Sequence, residues 1–363
     1  MREADMSKNY LDNQYFKEDV VRAAYYLSDL EQIRGKRVFI TGATGLIGRM
    51  LVFTLAKMNR ERSAKIKIYA VSRNAKNAAE LFEEVISDGV EFVSADLTSP
   101  LKFDQNVDIV IHAAADTKST DMVNNPIKVI NSVYLATKNM LDFAKDHQVE
   151  RFIYLSSMEV YGQTFKSDGL ITEEFSGRVN VSSLRSSYPE AKRLAELLVR
   201  SYSKEHKFKA IILRLTQTFG SSVKLGDQRV FAQFASSALE KHEITLKTKG
   251  ETVRSYVDTS DVVNVIQEMI KLDLPVGFCE VFNVADQEAT ISIYQMAKMI
   301  SEIVDNCEIK FELGQDDSMY APVLYMELDN SKLMAATDWA PTKNIDSMLR
   351  ILVNVLKDQQ SNS

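Results

Sequence analysis

The feature that most constrains the fold of this chain is the apolar run Val38-Phe39-Ile40, which leads directly into Thr41-Gly42-Ala43-Thr44-Gly45-Leu46-Ile47-Gly48. A strand that passes through a glycine-spaced turn into a helix opens a βαβ unit. The same order recurs downstream. Strand-like runs at Val38–Ile40, Ile66–Val71, Phe92-Val93, Ile109–His112, Phe152–Leu155 and Ile211–Leu213 alternate with helical segments at Leu46–Met58, Ala75–Ile86, Pro126–His147 and Pro189–His206. Continuous apolar runs of this kind are parallel strands buried on both faces.

The expected fold is α/β: a Rossmann-like doubly wound parallel sheet with a smaller C-terminal α/β substrate lobe. The rhythm shortens after residue 220, with elements at Ile244–Leu246, Thr252–Tyr256, Val281–Val284 and Ile291–Ile303. The division read from this is an N-terminal helical extension (1–35), a dinucleotide-binding domain (36–220), a mainly substrate-binding lobe (221–357) and a disordered tail (358–363). Val20, Val21, Ala24, Leu27 and Leu30 recur at helical spacing, so the extension is expected to dock an amphipathic helix.

With 363 residues, 45% of them hydrophobic, the chain can bury a large core. A net charge of −6 argues against a nucleic-acid partner. Cys279 and Cys307 stand far apart without metal-ligand spacing, so neither a disulfide framework nor a metal site is expected. No run is long and apolar enough for a membrane span, and Met1-Arg2-Glu3-Ala4-Asp5 lacks a secretory core, which makes cytoplasmic residence the expectation.

Gly42, Gly45 and Gly48, with Thr44, Leu46 and Ile47 between and beside them, form a candidate pyrophosphate cradle. Small residues admit the phosphates closely, and the helix N-terminus offers free N–H donors. At the end of the second strand an NAD enzyme usually carries an acid for the ribose 2′-hydroxyl. Here Ser72-Arg73-Asn74 stands instead. Ser72 and Arg73 suit a 2′-phosphate, so NADP is weighed beside NAD; the alternative is that Arg73 is a solvated loop arginine. Asp96-Leu97 can border the adenine, and Ala113, Ala114 and Ala115 leave room for the cofactor. His112 is read as a packed strand-end histidine.

Tyr188 and Lys192 are four residues apart and share one helix face. An ammonium beside a phenol favours phenolate, so Lys192 is expected to lower the Tyr188 pKa while reaching the nicotinamide ribose. Tyr188 then removes a proton from a sugar hydroxyl as hydride leaves the same carbon. Ser157, at the end of its strand, hydrogen-bonds that oxygen.

These motifs resemble the extended short-chain dehydrogenase/reductases of the nucleotide-sugar epimerase/dehydratase group over about residues 36–357. The resemblance rests on TGATGLIG, HAAA, SSMEVYG (Ser156–Gly162), YPEAKRLAE (Tyr188–Glu196) and RLTQTFG (Arg214–Gly220). It implies Ser/Tyr/Lys chemistry, a nucleotide-sugar substrate, and a homodimer formed through the helices around 126–147 and 189–206. The dehydratases of the group place an acidic residue where this chain has Met158, so water elimination is disfavoured. Glu159 remains available for proton chemistry at C5.

Within the group the chain is most similar to UDP-glucuronate decarboxylases. Gly177-Arg178-Val179-Asn180, Arg185-Ser186-Ser187-Tyr188, Asn125-Pro126-Ile127-Lys128 and Asp227-x-Arg229-Val230 carry that likeness. Arg185 suits a carboxylate or phosphate because its planar fork binds both oxygens. The resemblance adds Asn180, Gln217, Arg229 and Arg254 as substrate-binding candidates. The chain departs from the pattern at Gln217 and Val133, where asparagines are usual, at Ser72-Arg73, and in Asp316–Val323, which lacks basic residues. The competing readings are a 4-epimerase, an NADPH-dependent keto-reductase and, more remotely, a non-catalytic dinucleotide sensor.

Overall fold

The computed structural model describes residues 12–115, 119–313 and 323–361. The first layer is a seven-stranded sheet in which every pairing is parallel. Its strands are β1 (Arg37–Thr41), β2 (Lys67–Ser72), β3 (Val90–Ser94), β4 (Ile109–His112), β5 (Arg151–Ser157), β6 (Lys209–Leu215) and, much later in the chain, a strand at Cys279–Val284. The order from one edge is the Cys279–Val284 strand, β6, β5, β4, β1, β2, β3. The order reverses between β1 and β4, which opens the crevice where such sheets bind ligands.

Helices α1 (Gln14–Ala24), α2 (Leu46–Arg62) and α3 (Ala75–Leu81) precede β4. The short α4 (Ser119–Asn124), α5 (Pro126–Asp146) and α6 (Ser187–His206) follow it. Asn125 precedes Pro126 at the first turn of α5, where proline's fixed φ and missing N–H fit a helix start. α2 and α1 cover one face of the sheet through Phe16, Ala23, Met50, Phe53 and Leu55. α5 and α6 cover the other through Val129, Met140, Ala195 and Val199.

Three sequence expectations are corrected here. The helix expected over Ala75–Ile86 ends at Leu81 and continues as a 3₁₀ turn, Glu83–Asp88. Phe82 at the break packs against Phe92 with stacked rings 5.9 Å apart, and Gly89 closes the turn at φ +89°. α1 buries Phe16, Val20, Ala23 and Ala24, while Val21 is exposed and Leu27 and Leu30 dock from the irregular chain beyond the helix. Finally, the tail is not disordered through 358–361: the last helix runs to Ser361 because Gln359 is buried and hydrogen-bonded.

The remainder comprises β7 (Gln217–Phe219), α7 (Val230–Lys241), β8 (Glu243–Leu246), β9 (Val253–Asp258), α8 (Thr259–Lys271), β10 (the strand at Cys279–Val284), β11 (Asp286–Ser292), α9 (Ile293–Ile303), β12 (Glu308–Phe311), β13 (Tyr325–Met326), α10 (Ser331–Ala336) and α11 (Ile345–Ser361). β9 pairs with β7, β11 and β13, and β8 pairs with β12. A second core forms where α7, α9 and α11 pack through Phe231, Ala235, Met296, Ile300, Leu349 and Leu352. The expected boundary at 220 is not a clean cut. α8 contributes Val262, Val265, Ile266 and Met269 to the core under the first sheet, and β10 extends that sheet beside β6. No helix among the described residues is long and apolar enough to cross a membrane.

Candidate active site

The glycine turn has the geometry a phosphate cradle requires. Gly42 sits at φ +67°, and a Cβ there would lie 2.9 Å from the Ala113 carbonyl carbon and the Ala114 nitrogen at the end of β4. A Cβ on Gly48 would lie 2.2 Å from the Gly42 carbonyl oxygen, so only glycine lets α2 begin this close to the turn. Gly45 caps α2 without any side-chain hydrogen bond, which leaves first-turn N–H groups to a ligand. Leu46 and Ile47 turn into the two cores on either side of this turn. These features fit a bound dinucleotide.

Thr41, a residue with no evident role in the sequence motif, ties the two strands that flank the crevice. Its Oγ1 accepts the Ala113 and Ala114 N–H groups at 3.1 and 3.2 Å and contacts His112 Nδ1 at 2.8 Å. His112 is buried, and burial holds its pKa down at about 3, with Lys192 adding to the effect. It is a neutral packing group, stacked on Tyr154. Ala115 is the last described residue of this loop.

At the far end of the crevice Ser72 Oγ accepts the Asn74 N–H at 3.3 Å, and Arg73 is exposed. Asp96 accepts hydrogen bonds from Thr98, which with the nearby Arg73 charge hold its carboxyl below the usual range. Leu97 is buried, and its carbonyl accepts Asn139 Nδ2 at 2.9 Å.

Ser157 ends β5 and caps the 3₁₀ turn Met158–Tyr161 by accepting the Glu159 N–H at 3.2 Å. α6 brings Tyr188 to the same place, where the neighbouring Ser157 side chain pulls its pKa down. Lys192, one turn on, is buried; its ammonium donates to the Leu155 carbonyl at 2.8 Å and lies 4.5 Å from the centre of the Tyr154 ring. Ser157 at the end of β5 and Tyr188 and Lys192 on α6 thus come together at one place.

The expected electrostatics are corrected. Tyr188 is not depressed by Lys192: burial raises its pKa above the ordinary phenol value, and the Glu159 charge raises it further against the pull of Ser157 and Arg185. Lys192 itself is lowered to about 7 by burial, which Glu196 only partly offsets. The ammonium faces Leu155 and Tyr154, with the Tyr188 ring centre 5.9 Å away. A second correction concerns Arg185 and Glu159. The sequence assigns them separate roles, one for substrate charge and one for proton transfer, yet they hold each other through two 3.2 Å hydrogen bonds.

The other substrate candidates are more scattered. Arg229 donates to both carboxylate oxygens of Asp227 and to the Thr218 carbonyl at 3.2 Å. Arg254 lies on β9 with its Nε buried and without a hydrogen-bond partner, a donor suited to an anion. Gln217 pairs in register with Tyr256, two residues along from Arg254. Asn180 is exposed; its side chain accepts the Ser182 N–H and its carbonyl accepts the Ser186 hydroxyl, so it braces the turn before Tyr188.

Met158 is buried with Val160, Tyr161, Ile171 and Leu328, behind the site rather than in it. Sequence reasoning also missed the polar tie that sets α6 against β5. Ser156 Oγ donates to Glu196 at 2.6 Å, Arg214 pairs with Glu196 at 2.7 Å, and Arg214 donates to the Tyr161 hydroxyl at 3.0 Å. Glu196 lies four residues after Lys192, a spacing visible in the sequence, but its partners come from other strands. Among the described residues no group of three or more His, Cys, Asp or Glu side chains could hold a metal ion.

The sequence pattern of the NAD dependent epimerase/dehydratase family matches residues 38–285. The chain belongs to this family. It is an enzyme of the NAD-dependent extended short-chain dehydrogenase/reductase class. Within the epimerase/dehydratase family, the chain is 27% identical over 336 residues to UDP-glucuronic acid decarboxylase 2 of Arabidopsis thaliana, covering 91% of this chain and 71% of that protein. It is 29% identical over 310 residues to UDP-glucuronic acid decarboxylase 6 of Arabidopsis thaliana, covering 84% of each. A solved UDP-N-acetylglucosamine 4-epimerase from Methanobrevibacter ruminantium M1 shares the fold at a TM-score of 0.75 and 19% identity, over 90% of this chain and 99% of that one. MoeE5, solved with UDP-glucuronic acid and NAD, does so at 0.72 and 19% identity, over 88% of this chain and 99% of that one.

Proposed function

We propose that this enzyme converts a UDP-linked uronate by internal oxidation and decarboxylation, with UDP-glucuronate giving UDP-xylose. The observation that carries this reading is the Arg185–Glu159 pair beside Tyr188: a guanidinium that already holds a carboxylate next to the catalytic phenol. A substrate carboxylate can take the place of Glu159 on Arg185 and leave Glu159 for proton transfer. The similarity to UDP-glucuronic acid decarboxylases supports the same reading.

Gly42, Gly45 and Gly48 would hold the pyrophosphate of the cofactor, Ala113 and Ala114 would flank it, and Lys192 would meet the nicotinamide ribose. NAD held there would supply the reversible hydride acceptor for C4. Tyr188 takes the C4 hydroxyl proton, and Ser157 hydrogen-bonds the oxygen as it becomes a ketone. Because burial keeps Tyr188 protonated in the free protein, its basicity must come from bound positive charge and from Glu159 losing its hold on the phenol. The carboxylate, now β to a ketone, leaves as carbon dioxide and its bonding pair forms the enolate. Glu159, once it has taken a proton from solvent, would deliver it to C5. Arg229 and Arg254 are assigned to the substrate's phosphates, with Gln217 beside them.

NAD rather than NADP is the favoured cofactor, because Asp96 beside Arg73 opposes a 2′-phosphate dianion. The exposed Ile127 and Ile130 of α5 and Leu194 and Leu197 of α6 support a homodimer through these two packed helices. The test is to incubate the protein with UDP-glucuronate, UDP-glucose or a 4-keto nucleotide sugar, with NAD or NADPH, and to weigh the products. Carbon dioxide loss without net NADH formation is expected. C4 inversion of UDP-glucose alone would favour the epimerase reading, and stoichiometric NADPH consumption the reductase reading.

A further inference from the structure

The N-terminal segment makes polar contacts that a passive appendage does not need. Asp19, on α1, is buried; it accepts the Ser221 hydroxyl at 2.5 Å and pairs with Arg22 at 2.7 Å and Lys343 at 2.8 Å. Lys343 also pairs with the buried Asp258 at 3.0 Å, at the end of β9. α1 is fixed in place from two other helices: Arg62 of α2 donates to the Ala24 carbonyl, and Gln267 of α8 to the Ala23 carbonyl. A buried ion pair of this kind seldom outperforms well-packed apolar side chains in stability, so its use here reads as a register device.

What it registers is the loop from Ser221 to Arg229. A Cβ on Gly220, just before the loop, would lie 2.6 Å from an Asp258 carboxylate oxygen, so the chain runs hard against the ion cluster as the loop begins. Ser222 then donates to the Leu46 carbonyl at 3.0 Å, in the first turn of the cofactor helix. Gln359 of α11 spans the middle, donating to the Val223 carbonyl at 2.9 Å and accepting the Leu225 N–H at 2.8 Å. α11 is joined back to the N-terminal segment by Asn13 with Asp358 at 3.1 Å and Asn354 with Tyr15 at 3.0 Å. The loop closes at Arg229, held on Asp227.

We propose that the N-terminal segment and α11 form a clamp that positions the 221–229 loop, so that Asp19 and Gln359 act on substrate binding through Arg229. This rests on the reading of Arg229 as a ligand of the substrate's charged groups. The clamp joins the two chain ends, the cofactor helix and the substrate loop in one set of hydrogen bonds.

The test uses the full chain and the variants Asp19→Asn, Ser221→Ala and Arg229→Ala. Amide hydrogen exchange over 221–229, calorimetric titration with UDP and with NAD, and thermal unfolding are measured for each. Asp19→Asn and Ser221→Ala should speed exchange in the loop and weaken UDP binding roughly tenfold, the scale of one lost charge-assisted hydrogen bond, with NAD affinity retained. Ser221→Ala removes a single hydrogen bond and serves even if Asp19→Asn folds poorly. Unchanged loop exchange in Ser221→Ala, or a lowered unfolding temperature with wild-type UDP affinity, overturns the clamp. Wild-type UDP binding by Arg229→Ala would instead overturn the role given to Arg229, while the exchange result still decides whether the loop is clamped.

Discussion

In the free protein the guanidinium of Arg185 holds the carboxylate of Glu159 through two hydrogen bonds of 3.2 Å, and both side chains remain partly open to solvent. Burial raises the Tyr188 pKa and the Glu159 charge raises it further, so in the proposed mechanism substrate charge, phenol basicity and the proton donor would be linked through this one contact. Removing either partner should therefore have different consequences. Arg185→Ala should raise KM for UDP-glucuronate by roughly 10–100-fold, the scale of a hydrogen bond to a charged group, and affect UDP-glucose binding less. Glu159→Gln should lower KM for UDP-glucuronate by freeing Arg185, and lower kcat by roughly 10²-fold through loss of the proton donor. Steady-state kinetics on both nucleotide sugars checks this; equal losses on the two by Arg185→Ala would place that residue on the phosphates.

Tyr188→Phe removes the phenol hydroxyl beside Ser157 and leaves the ring in its buried position. Turnover should fall by roughly 10²–10⁴-fold, the usual range for a general acid–base group. Cofactor affinity should be retained, because the glycine cradle and α2 are untouched. Fluorescence titration with NADH, run beside the product assay, tests both halves. A variant with full turnover would remove Tyr188 from the mechanism.

Lys192 gives a pH prediction. Its pKa is lowered to about 7 in the folded chain, against about 10.4 for a free lysine, so between these values the unfolded chain binds more protons. Stability should therefore rise with pH across this window, by at most about 1.4 kcal/mol per unit, and the penalty for burying the charge should be fully present below pH 7. Lys192→Met removes that dependence. Denaturant unfolding of both proteins from pH 6 to pH 10 should show the variant gaining most at low pH and the difference shrinking as pH rises. A constant difference across the range would show that burial does not shift Lys192.

Local pattern made most of the first sheet legible. Val38–Ile40, Ile109–His112 and Phe152–Leu155 are apolar on both sides of the pleat, so their burial does not depend on which partner they meet. Tyr188 and Lys192 were legible for a similar reason: a four-residue spacing on a helix fixes their neighbourhood. What stayed hidden depends on side chains distant in sequence. Nothing near Asp19 announces Lys343 or Ser221, and the Arg185–Glu159 pair spans two turns joined only by the tertiary fold. The pKa direction of Tyr188 is not legible in the sequence, because helical spacing shows that Lys192 is near but not that its ammonium faces Leu155. The rhythm after residue 220 puts Val281–Val284 in the C-terminal lobe, yet β10 joins the first sheet beside β6, since an apolar run carries no mark of the sheet it joins.

The exposed apolar positions on α5 and α6 yield a prediction about assembly. Ile127 and Ile130 are three apart on one helix, and Leu194 and Leu197 are three apart on the other, so each pair shares an outward stripe. Ile127 is 74% exposed and Leu197 61%, values costly for side chains of this size unless another surface covers them. Leu197→Glu places a charge in the centre of such a contact, where its desolvation would be uncompensated. Sedimentation velocity should show a dimer for the wild type and a monomer for Leu197→Glu at micromolar concentration. The folded monomer should keep its unfolding temperature to within a few degrees, since Leu197 contributes little to the core of its own chain. A monomeric wild type, or a variant that stays dimeric, would place the subunit contact elsewhere.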